Sequence, residues 1–243
     1  MSAVADMLTP HPQSMSWRFV DRLFREKPLG AASGVLFLLF VFFGLFANLL
    51  APHGMNEISP LNRLQPPSWQ FPFGTDNLGR DMLSRCLYGA RLSVIIGISG
   101  AALATAISAF IGIVTGYLGG KVDLVVHRFV DAWMSFPALI VLIVVVSVLG
   151  PGMPQIIVTL GLLLGIGGSR VIRGAVVSVR EHMYVHAAQS IGASTARILW
   201  RHILPNVLPP LIVLFTTRVG AVILAESGLA FLGAASRAAS LGG

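Results

Sequence analysis

The chain has 243 residues, 55% of them hydrophobic and only 11% charged, with a mean hydropathy of +0.80. Soluble domains carry about 25% charged residues, so this composition excludes a water-soluble globular domain and predicts an all-α, polytopic bundle of transmembrane helices. The formal charge of +7 comes from 17 Lys and Arg against 10 acids, an excess that in a membrane protein belongs to cytoplasmic loops rather than to a nucleic-acid partner. The lone Cys86 excludes an internal disulfide, and the missing CxxC argues against structural zinc and redox chemistry.

Residues 1–30 are polar, with Arg18, Arg22, Arg25 and Lys27 close to the first apolar run, Ala31 to Ala51. That run is about long enough to cross the hydrocarbon core. It exceeds the roughly 7–15 apolar residues of a cleavable signal peptide, so the sequence predicts an uncleaved span and a cytoplasmic N-terminus. Residues 52–91 then form an outer loop, in which Pro66, Pro67, Trp69, Phe71 and Phe73 lead into GTDNLGRDMLSRCLYGARLS. Asp76 with Arg80, and Asp81 with Arg85, stand at i,i+4, while Leu78, Met82 and Cys86 share a stripe. This spacing predicts a short amphipathic helix at the membrane interface, capped near Thr75.

Residues 92–233 contain four further spans, five in all. The second runs from Leu92 to Leu118, with Gly112 and Gly116 as a small-xxx-small face. A short inner loop follows with Lys121 and Arg128. Its Gly-Gly-Lys is not a phosphate loop, because Thr115 and Val122 occupy the positions that need Gly and Ser or Thr. Any ATP hydrolysis must come from a partner. The third span, Ala132 to Gly150, is interrupted at Pro137; Pro151 and Pro154 mark an outer turn. The fourth covers Gln155 to Gly168 with a Gly161/Gly165 pair, and the fifth runs from Val207 to Leu224 and ends in ILAESGLAFLG.

Between the last two spans, residues 170–205 form a basic elbow. Arg170, Arg173, Arg180, Arg197 and Arg201 face a single acid, Glu181, which places the elbow inside the cell. Arg170 to Ile191 reads as one helix, with Val177, Tyr184, Ala188 and Ile191 at helical steps. Gly192 supplies a joint, Ser194 or Thr195 caps a second short helix, and Pro205 ends it. The small residues Ala187, Ala188 and Gly192 let another surface approach closely, as a docking element requires.

Ala187-Ala188, three residues, Gly192, nine residues, then His202-x-Leu204-Pro205 resembles the EAA loop of ABC importer permeases; His186 replaces the family's usual Glu. The string FGTDNLGRDMLSR, carrying Gly74, Thr75, Asp76, Gly79, Arg80, Asp81, Ser84 and Arg85, resembles the signature of the dipeptide, oligopeptide and nickel branch. The resemblance covers Gly30 to Gly233. It implies a type I importer permease fold in a bacterial plasma membrane, with Tyr184, His186, Ala187, Ala188, Gly192, Ala193, Ser194, His202, Leu204 and Pro205 in the loop that docks the ATPase. It further implies a second homologous permease, two ABC ATP-binding subunits that carry the ATP and Mg, an external substrate-binding protein, and no cofactor in this chain. Selection rests largely with the binding protein, so peptide and nickel both stay open as solutes. Family members add one more span. Here residues 234–243, AASRAASLGG, are too polar to cross, which fits a truncated permease or a shorter variant with its C-terminus outside.

Other constellations carry less. His182 and His186 stand at a zinc-clasping spacing, but Met183 holds the place of a metalloprotease Glu, and no metal site is expected. Arg218 and Glu226 are intramembrane charges and so functional candidates, with structural pairing, or an outer-interface position for Glu226, equally open. Thr105, Ser108, Ser147, Thr159 and Thr216 fit either a lined path or helix-to-helix hydrogen bonding. An ion-coupled transporter or channel would need a buried acid or His relay, for which Glu226 alone qualifies. A membrane-embedded enzyme would need a nucleophile and base, and no such pair stands at a credible spacing.

Overall fold

The computed structural model describes residues 24–150 and 152–231; Arg18, Arg22, Pro151 and the tail at 234–243 lie outside them. The described residues are helical and contain no strand beyond one isolated bridge, Thr75 to Asp81. Helix α1 is Pro28–Leu45, followed after Phe46 by the short α2, Ala47–Leu50. Helix α3 is Met82–Leu118, α4 Gly120–Met134 and α5 Ala138–Leu149. Helix α6 is Met153–Arg180, α7 Met183–Ser190 and α8 Thr195–Ile198; a π-turn, Leu199–Ile203, leads into α9, Leu204–Phe231. Among the described residues four helical stretches are long and apolar enough to cross a membrane, and there are five if the bent pair α4 and α5 counts as one span.

The bundle is built on α3 and α6. A Cβ at Gly112 or Gly116 would lie 2.8 Å from the Cβ of Ile172 or Val176, so only glycine lets these helices approach so closely. On the other helix Gly161 and Gly165 play the same part against Leu103 and Ile107. Ser108 ties the pair together by donating to the Gly165 carbonyl at 2.7 Å. Gly97 and Gly100 of α3 seat Ile223 and Val222 of α9.

Four expectations need correction. The helix expected from Arg170 to Ile191 breaks after Arg180, because His182 has an extended backbone (φ −72°, ψ 142°) and starts a new helix. The expected interfacial helix from Thr75 is a turn, and α3 begins only at Met82. The inner loop with Lys121 and Arg128 is α4, which meets α5 at an angle of 76° around Pro137. Pro205 ends nothing; the helical chain runs from Thr195 through it to Phe231.

Candidate functional site

The elbow is residues 181–203, at the end of the bundle where α6 stops and α9 starts. Helix α7 closes by a glycine C-cap. Gly192 stands at φ +77°, its N–H donates to the Gln189 carbonyl at 3.0 Å, and the Ala193 N–H reaches back to the Ala188 carbonyl at 3.1 Å. That pair of bonds is a Schellman motif, which needs the left-handed residue glycine supplies most readily. Ser194 then caps α8 by accepting from the Arg197 N–H at 3.4 Å, as expected from the sequence.

Four elbow side chains anchor it. Val185, Ala188, Ile198 and Ile203 are buried in one core with Ile172 and Val176 of α6 and Val207, Leu211 and Leu214 of α9. Ala188, expected at the docking surface, is therefore internal packing, whereas Ala187 and Gly192 are exposed. The exposed tip also carries Met183, Ile191 and Trp200, which show 88%, 85% and 73% of their surface. Tyr184 and His186 are exposed beside them, and His202 lies 6.1 Å from the Tyr184 ring. Arg180 sits over the Tyr117 ring, and Gln189 donates to the Tyr117 hydroxyl at 3.4 Å, linking the elbow to the C-terminal end of α3. Leu204 and Pro205 lie at the start of α9, Pro205 exposed. Met183, Ile191 and Trp200 are thus large apolar side chains left exposed on a basic segment whose base is fixed in the core. His182 precedes α7 while His186 lies within it, so the two do not share a helical face.

The outer-loop residues form a stapled turn. Asp76 accepts from the N–H groups of Leu78 (2.8 Å) and Arg80 (2.9 Å) and from the guanidinium groups of Arg80 (2.7 Å) and Arg85 (2.6 Å). Burial pushes its carboxyl up, but these backbone and Arg80 hydrogen bonds outweigh it and hold the pKa at about 2, against an ordinary 3.8. Arg85 pairs with Asp76 rather than with Asp81, its expected partner. Asp81 instead caps α3, accepting from the Ser84 N–H at 3.1 Å and the Ser84 hydroxyl at 2.6 Å. That hydroxyl in turn receives the His53 N–H, and the His53 ring stacks on Phe71. Thr75 donates to the Asn62 carbonyl and accepts from Gln65. Gly74 and Gly79 both have positive φ. His53 and Asn62 stand on a far segment with no periodicity to reveal them.

Arg218 and Glu226 do not pair. Glu226 accepts from Ser93 of α3 at 3.2 Å, while Arg218 stands across from Gly168 of α6.

Residues 108–242 match the family model for the binding-protein-dependent transport system inner membrane component. Residues 15–67 match that for the N-terminal transmembrane domain of oligopeptide transport permease C. The chain is 33% identical to a dipeptide transport system permease protein of Alkalihalophilus pseudofirmus, over 96% of this chain and 80% of that protein. It is 38% identical to the dipeptide transport permease of Bacillus subtilis, over 90% and 67% of the two chains. For the oligopeptide transport permease of Bacillus subtilis the identity is 33%, over 89% and 71%. A multi-pass helical bundle with these matches belongs to the binding-protein-dependent inner-membrane components, the ABC importer permeases, in their dipeptide and oligopeptide branch.

Proposed function

We propose that this chain forms, with a second permease, the membrane passage of a peptide importer, and that the elbow couples the passage to ATP hydrolysis on separate ATP-binding subunits. ATP and Mg reside on those subunits, and a binding protein outside the cell delivers the solute. The N-terminus is cytoplasmic, on the elbow's side of the membrane.

One observation carries the coupling role: Val185, Ala188, Ile198 and Ile203 share a single core with α6 and α9. Close-packed interiors transmit displacement rather than absorbing it, so a push on the tip moves both spans. The exposed Met183, Ile191 and Trp200 offer the apolar contact, and Ala187 and Gly192 let a partner surface come near. ATP-driven movement requires the partner to bind this tip differently in its two states. The passage then opens alternately to the two sides.

A charge at Gly192 tests this. Nothing lies within 4 Å of a Cβ there, so Gly192→Glu adds a projecting carboxylate at the tip with no steric clash, at the cost of the left-handed backbone penalty that Gly192→Ala, as the control, also carries. Peptide uptake is expected to fall at least tenfold, with membrane insertion unchanged. Uptake at the parental rate would remove the elbow from the coupling path.

A further inference from the structure

Arg218 stands near the middle of α9, which spans Leu204 to Phe231 in 28 residues. At about 1.5 Å per residue it lies roughly 20 Å past the start of α9, well inside a hydrocarbon core about 30 Å thick. A cation at that depth is costly unless something of opposite charge or high polarity faces it. Among the described residues Arg218 makes no ion pair and no hydrogen bond.

The surroundings explain why none is made. A Cβ at Gly168 would collide with Ser108 Oγ at 2.4 Å but would only touch Arg218 Nη2 at 3.4 Å, so the guanidinium rests on α6 at a position kept small for Ser108. The Ser108 hydroxyl is already committed to the Gly165 carbonyl. Glu226 is eight residues further along α9, about 12 Å by helical rise, and is engaged with Ser93. Leu214, the other near neighbour, is apolar. Arg218 is only partly buried, and Thr216, Thr217 and Gly220 beside it on α9 are exposed. The guanidinium therefore lies against α6 at Gly168, half-buried and with its donors uncommitted among the described residues.

We propose that Arg218 is a carboxylate-binding residue of the translocation path, its counter-charge supplied by the solute in transit. A guanidinium presents paired N–H donors that match a carboxylate in a bidentate fit, and does so most strongly where water is scarce. The identity of that carboxylate, the C-terminus of a peptide, rests on the peptide-importer reading; the anion preference of the path does not.

Two measurements on the assembled importer in proteoliposomes separate these points. In a Cys86→Ser background, Thr217→Cys places a thiol beside Arg218, with Gly220→Cys as a second reporter; each is treated with an anionic and a cationic methanethiosulfonate reagent. The anionic reagent is expected to react faster, and its advantage to fall at least fivefold in Arg218→Met but less than twofold in Arg218→Lys. Uptake of a radiolabelled dipeptide is expected to fall at least tenfold in Arg218→Met, with the partner subunits still co-purifying. Four results would overturn the proposal: no reaction with either reagent, a reagent preference independent of Arg218, dipeptide uptake insensitive to Arg218→Met, or loss of the partner subunits in that variant. The last would assign Arg218 to an acid of a neighbouring subunit. An anion preference that depends on Arg218, in a parental importer that carries no dipeptide, would sustain the path and defeat the peptide reading.

Discussion

Gly79 and Gly192 have nearly the same backbone, φ +76° and +77°, yet their neighbours separate what a methyl group would do. A Cβ on Gly79 would lie 1.9 Å from the Ser59 carbonyl oxygen, while one on Gly192 meets nothing within 4 Å. Gly192→Ala should therefore cost only the left-handed penalty, about 1–2 kcal/mol, and leave the elbow in place. Gly79→Ala adds a backbone collision that no rotamer relieves. Limited proteolysis of the importer is expected to nick the Gly79→Ala loop between Asn62 and Asp81 at least tenfold faster, with Gly192→Ala close to the parent. Asp76 gives the same loop a pH dependence. Its pKa is depressed in the folded state, from 3.8 to about 2, so its contribution is complete above the unfolded value and is lost as pH falls through that interval. Cleavage of the outer loop by pepsin should rise between about pH 4 and pH 2, and Asp76→Asn should be loosened already at neutral pH, where a neutral protease reads it, with that transition gone.

Helix α4 buries only Val130, so apolar packing does little to hold it against the bundle. Asp123 and Asp131 on one stripe of α4 meet Arg173 and Arg170 of α6 instead, with His127 between them, 3.5 Å from Asp123. Arg173→Asp should lower the melting temperature of the detergent-solubilised complex, and adding Asp123→Arg should restore at least half the loss, a coupling of about 1–3 kcal/mol. A double variant no better than the single would show that α4 is held by something other than these pairs. Such a clasp is hard to read from sequence, because Asp123 and Arg173 lie 50 residues apart and α4 passes for a loop. The joint at Gly192 and the Ser194 cap were legible, since both depend on neighbours in the chain. The break after Arg180 was hidden for a physical reason: Val185 and Ala188 of the new helix bury against the same core as Ile172 and Val176, so the apolar pattern runs on across it. Val177 and Ile191, which the spacing favoured, are exposed. In the outer loop the i,i+4 charges imitated a helix, although Gly74 and Gly79 already marked a turn.

The charge distribution of the whole bundle predicts an orientation in the membrane. At the outer-loop end Arg80 and Arg85 share the single carboxylate of Asp76, while Arg63 and Arg91 donate to the uncharged Asn77 carbonyl and Asn48 side chain. At the elbow end Arg180, Arg197 and Arg201, together with Lys121 at the start of α4, make no ion pair among the described residues. Lys and Arg are enriched on the cytoplasmic side, and Lys121, Arg128, Arg170, Arg173, Arg180, Arg197 and Arg201 outnumber Arg63, Arg80, Arg85 and Arg91, so the elbow should face the ATP pool and the stapled loop the exterior. The single cysteine makes this testable, because Cys86 is exposed on the first turns of α3, beside that loop. A membrane-impermeant maleimide is expected to label Cys86 in intact spheroplasts. In a Cys86→Ser, Ser190→Cys variant the new thiol, exposed on the elbow, should react only after the membrane is permeabilised. The opposite pattern would place the elbow outside the cell, where no ATP-binding subunit could reach it, and the coupling role would fall although the family assignment stood. Agreement with the expected pattern would instead align every charge, the stapled loop and the anchored tip along one axis, with Arg218 between the two aqueous faces.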